Sequence, residues 1–99
     1  MTTTTPTDWE AITRHILAEN SDAVGFWVLA HKIGEASNAT QGQQARIVEA
    51  LERVANEPPD EGHAWSEADI NLGGWLHAVG LPDYSAATDA IAAAIRANR

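Results

Sequence analysis

Four histidines, fourteen carboxylates and no cysteine delimit the chemistry open to this 99-residue chain. His15 with Glu19, and His31 with Glu35, place an imidazole and a carboxylate four residues apart, on one face of a helix. Two such pairs, if they converged, would offer nitrogen and oxygen ligands to a divalent cation. A metal-binding bundle uses Glu-x-x-His on facing helices with further glutamates, and that pattern is missing here. The pairs therefore read as solvated side chains, His77 reads as a surface residue, and no metal site is expected. Without cysteine there is no disulfide framework, thiolate zinc site or cysteine nucleophile. Ser21, Ser37, Ser66 and Ser85 fall at cap or loop positions, and none lies in a Gly-x-Ser-x-Gly elbow. The glycines form neither a phosphate-binding loop nor a dinucleotide fingerprint. The expectation is a protein with no catalytic residues, no cofactor and no enzymatic activity of its own.

What stands out instead is a concentration of charge and an abundance of tryptophan. The formal charge is −8, and Glu57, Asp60, Glu61, Glu67 and Asp69 fall within one stretch that holds no lysine or arginine. Calcium would need alternating oxygen ligands and a closing glutamate, which Pro58-Pro59-Asp60-Glu61-Gly62-His63 does not supply. A segment that carries Asp60, Glu61, His63 and Trp65 suits docking on a basic protein surface. Of the four tryptophans, Trp9 and Trp75 sit on apolar helical stripes and are assigned to the core. Trp27 shares a second apolar side of its helix with Val24 and Val28, a side to be covered by the last helix or left for another chain. Trp65 precedes Ser66 and can staple a helix start by packing on Ile70. The candidate partner-binding residues are Asp60, Glu61, His63, Trp65, Trp27 and Val28.

The elements that must position these residues are helical. Hydrophobic residues make 44% of the chain, and the nineteen alanines favour helix. Five helices are predicted, over 8–19, 22–37, 41–56, 67–79 and 84–97, in one compact domain spanning 7–99 behind a disordered threonine-rich tail at 1–6. Thr7 with Glu10, Thr40 with Gln43, and Ser66 with Asp69 have capping-box spacing. Glu10 with Arg14, and Glu49 with Arg53, are spaced as surface ion pairs. The second helix is apolar nearly all round and is expected to be central, although Gly25-Phe26-Trp27-Val28-Leu29 would also suit a strand. Gly80, followed by Leu81 and Pro82, stops the fourth helix. Gly73-Gly74 calls for close packing, or for a kink that splits that helix. In the last helix Tyr84, Ala87, Ile91, Ala94 and Ile95 make the core face, and Ala86, Ala90, Ala93 and Ala97 a face for close helix approach.

Trp75-Leu76, Val79-Gly80-Leu81 and Tyr84 resemble the opening helix and turn of a sterile alpha motif domain. Such a domain has several further helices, whereas only one alanine-rich helix follows here. A helical stripe closed by a glycine accounts for the likeness.

These features point to a small acidic all-α domain that binds another protein, as a regulator, adaptor or assembly subunit, with self-association left open. One alternative is a nucleic-acid mimic that fills the basic groove of a DNA- or RNA-handling enzyme, as small inhibitors carried by mobile elements do. Another is a small ligand- or metal-binding bundle. The acidic balance disfavours direct nucleic-acid binding. No apolar run approaches the roughly 20 residues of a membrane span, and the expected compartment is the cytoplasm.

Overall fold

Apolar residues at intervals of three and four bury themselves by folding into five helices, seen in a computed structural model that describes residues 8–57 and 66–98. They are α1 (Trp9–Glu19), α2 (Asp22–Ser37), α3 (Gln41–Asn56), α4 (Glu67–Ala78) and α5 (Tyr84–Ala97). The predicted boundaries hold to within one residue. No strand occurs among the described residues, so Gly25–Leu29 is helical, there being no second extended segment to pair with it. Residues 1–7, where the tail and Thr7 lie, fall outside the described residues.

Chain neighbours are neighbours in space. α1 packs on α2, α2 on α3, α3 on α4, α4 on α5 and α5 back on α1, while α3 also touches α5 across the middle of this ring. Leu29, Ile33, Ile47, Leu51, Leu72, Leu76, Ile91 and Ile95 are fully buried at its centre. Each such side chain stabilises the fold by about 1.5–3 kcal/mol relative to exposure. The expectation that α2 is central is overturned: α2 packs mainly on α1 and α3, and α5 lies against α1, α3 and α4. The ridge Phe26, Leu29, Ala30 and Ile33 is buried as expected, whereas on the opposite side Val24 and Trp27 stay about half exposed.

The helix ends show which local signals operate. Thr40 and Ser66 each accept a hydrogen bond from the N3 backbone amide, and the Gln43 and Asp69 side chains each accept one from the cap residue's own amide. The start of α1 differs from the Thr7–Glu10 reading, because Asp8 Oδ1 accepts from Ala11 N at 3.0 Å and makes Asp8 the cap. Ser21 occupies the N-cap of α2 without a side-chain cap bond, and Asp83 opens α5 in a left-handed conformation. α4 ends in a Schellman motif. Leu81 N donates to Leu76 O, Gly80 N donates to His77 O, and Gly80 has the φ of 78° that favours glycine.

Three other expectations are corrected. α4 is one unbroken helix, so of the two readings of Gly73-Gly74 it is the alternative, a kink that splits the helix, that falls. Arg46 pairs with Glu49 at 3.3 Å, and Arg53 lies 3.8 Å from Glu57, in place of a Glu49–Arg53 pair. In α5 the face Ala86, Ala93 and Ala97 is exposed and Tyr84 is 38% exposed, while Ala87, Ile91, Ala92, Ala94 and Ile95 carry the packing. Short alanines are cheap on a solvent face, and the larger isoleucines gain more from burial.

Candidate interaction surface

The outer side of α2 follows from its sequence. With Phe26, Leu29, Ala30 and Ile33 committed to the core, the helical period turns Val24, Trp27, Val28, His31 and Glu35 away from it. Val24 is 52% exposed and Trp27 49%, whereas Val28 is half-buried against the edge of the core. A tryptophan and a valine one turn apart, both half open to solvent, form the apolar centre of this side. His31 Nε2 lies 2.9 Å from Glu35 Oε1 beyond it, an exposed pair at the C-terminal end of the helix.

The tryptophans thus divide by position. Trp9 is 7% exposed and belongs to the core, where the α1 stripe directs it. Trp75 packs at the core's edge and is partly buried. Asp60, Glu61, His63 and Trp65 lie outside the described residues, so the structure brings together Trp27 and Val28 of the six candidates. The interval-of-four reading of Val24 with Val28 already contained this side of α2; the excess exposure of Val24 depended on which helices covered it.

A second constellation involves a residue that local spacing did not reveal. Asp69, at the N-terminus of α4, is buried, and its carboxylate receives Arg96 from the last turn of α5. Arg96 Nη2 donates to Asp69 Oδ1 at 2.6 Å and to Ser66 Oγ at 3.3 Å, and Nη1 donates to Asp69 Oδ2 at 3.1 Å. A two-pronged guanidinium–carboxylate pair is among the stronger and more directional contacts available to side chains. Asp69 therefore counts as internally neutralised, so one of the five acids between Glu57 and Asp69 is not displayed. The sequence signal was faint: a lone arginine in a helix rich in alanine and isoleucine.

Two of the histidines pair with a carboxylate on their own helix. His15 Nε2 is 3.4 Å from Glu19 Oε2, and both side chains are mostly exposed, as are those of the His31–Glu35 pair. No three of the His, Asp or Glu side chains among the described residues converge as a metal cage would require. A shallow depression between α1 and α5 is lined by Arg14, Ala94, Ala97 and Asn98, with Arg14 engaged by Glu10 at 2.7 Å. No helix of the described residues is long and apolar enough to cross a membrane.

Comparison with models of known families, with curated proteins and with solved structures returned no match. The likeness of Trp75–Tyr84 to a sterile alpha motif opening gains no support from that comparison.

Proposed function

We propose that this chain is a small acidic helical protein-interaction domain, serving as a regulator, adaptor or assembly subunit without catalysis of its own. The observation that carries the reading is the pair Val24 and Trp27 on the outer side of α2, which the described residues leave about half exposed. Tryptophan supplies much contact area at little entropic cost, and for that reason it is enriched at binding hot spots. Val28 extends the patch toward the core. The acidic residues Asp60 and Glu61, with His63 and Trp65, belong to the proposal by composition and suit a partner with a basic surface. A cytoplasmic location is proposed on composition alone.

The ion pairs Glu10–Arg14, Arg46–Glu49, Arg53–Glu57 and Asp69–Arg96 weigh against a nucleic-acid mimic, which needs rows of unbalanced carboxylates. The test is co-purification from the native cell with quantitative mass spectrometry. The variant Val24→Asp/Trp27→Ala, and separately Asp60→Lys/Glu61→Lys/Trp65→Ala, should lose the species that the parent chain enriches, with helical circular dichroism intact. Retention of the same species by both variants would refute the reading.

A further inference from the structure

Among the described residues nothing covers the outer side of α4, and it has an unusual composition. Glu67, Ile70, Gly74 and His77 follow one another at intervals of three and four, and all four are exposed. Ile70, at 58%, is the most exposed of the large hydrophobic residues described. Gly74 lies within a helix, where glycine is a poor former, yet a Cβ built on it would meet nothing within 4 Å. Packing among the described residues therefore gives no reason for a glycine there. At the C-terminal end of the stripe the His77 ring rests against Tyr84, with centroids 4.6 Å apart, which fixes a polar aromatic edge beside the glycine.

We infer that this face of α4 is a contact for a second copy of the same chain, the two α4 helices running antiparallel across a twofold axis at the level of Leu72. The register is dictated by the sequence. In such a pair Ile70 of one copy stands opposite Gly74 of the other, so the bulkiest outward side chain meets the position with no side chain, once on each side of the axis. Glu67 stands opposite His77, a carboxylate acceptor against an imidazole N–H donor, again twice. An isologous contact requires the same residues to supply knob and hole, donor and acceptor, in reversed order along the helix. This stripe does so, and a partner of different sequence would not need that symmetry.

α4 has 12 residues, about 18 Å of helix, so the contact is smaller than the roughly 800 Å² per partner of a stable dimer. The association is accordingly weak. Each copy carries a formal charge of −8, so added salt screens the repulsion and strengthens the pairing, the opposite of what docking on a basic protein would show.

The inference goes beyond the α2 reading and uses none of its residues. Sedimentation equilibrium of the full chain, from about ten micromolar to about one millimolar, tests it. The expected result is a monomer–dimer equilibrium that tightens with salt, weakened at least tenfold by Ile70→Asp and by Gly74→Gln and unaffected by Val24→Asp/Trp27→Ala. Gly74→Ala separates structure from contact, because its methyl group has open space in the monomer. It should raise the melting temperature while weakening the dimer. A chain that stays monomeric throughout, or a dimer that survives both Ile70→Asp and Gly74→Gln, would overturn the inference. So would a dimer lost through the α2 variant alone, and the fate of the α2 reading itself is decided separately by its own partner.

Discussion

Arg96 closes the bundle on Asp69: its guanidinium donates to both carboxylate oxygens, at 2.6 and 3.1 Å, joining the last turn of α5 to the first turn of α4. The Asp69 side chain is 4% exposed and the Arg96 side chain 27%, so the two members of the pair differ in their access to water. Asp69 also accepts from the Ser66 amide at 3.3 Å and thereby serves in the cap of its own helix.

The first prediction concerns that pair. Arg96→Ala leaves a buried carboxylate without its cation and should cost about 2–4 kcal/mol in urea unfolding, since breaking a buried pair costs more than the pair itself contributes. Asp69→Ala loses both the pair and the cap bond and should cost at least as much. The double variant should be less destabilised than the sum, by about 1–3 kcal/mol of coupling. Additivity would show that the contact is energetically idle.

Thr13 supplies a prediction of opposite sign. Its side chain is fully buried in α1 and its hydroxyl has no hydrogen-bond partner among the described residues. Thr13→Val keeps the shape and removes the orphaned polar group, so stability should rise by about 1 kcal/mol, the lower range of the desolvation penalty for such a group. Thermal and urea unfolding would both register the gain, and a loss would mean that the hydroxyl is satisfied in solution.

Gly74 and Gly80 should respond in opposite directions to the same substitution. Gly74→Ala adds a methyl group where nothing lies within 4 Å and should stabilise α4 by about 0.5–1 kcal/mol. Gly80→Ala forces a side chain into a φ of 78° and should cost about 1 kcal/mol. The difference between their melting temperatures reads the effect directly.

The two tryptophans at the extremes of burial form another contrast. Trp9→Ala should cost about 3–5 kcal/mol, in the range of large core truncations. Trp27→Ala, on the open side of α2, should change stability by no more than about 1 kcal/mol, because half of its surface stays in water in the folded chain. Equal costs would place Trp27 inside a contact that the five helices do not provide.

The helices were legible because their signals are local. Thr40 with Gln43, Ser66 with Asp69, and Gly80 before Leu81 satisfy backbone groups within a few residues, and the structure forms each of these motifs. The larger misreadings depended on distance along the chain. The position of α2 follows from α5 folding back on α1, α3 and α4, and nothing in the α2 sequence records that α5 will be elsewhere. The Asp69–Arg96 pair spans 27 residues, so Asp69 read as one more surface acid when it is in fact part of the interior. Surface ion pairs shift by one register at little energetic cost, which is why Glu49 takes Arg46 in place of Arg53. Of the candidate site, Trp27 and Val28 were visible as a second apolar side, and their openness was decided by the packing of the whole ring.

The half-open side of α2 around Val24 and Trp27 is proposed to meet another protein. The most direct test is photo-crosslinking in the native cell with a photoreactive amino acid at position 24, beside Trp27, and a control at position 15 on α1. The account predicts a discrete adduct of higher mass from position 24, absent from position 15 and lost when Trp27→Ala is added. No adduct from position 24, or the same adducts from both positions, would contradict it.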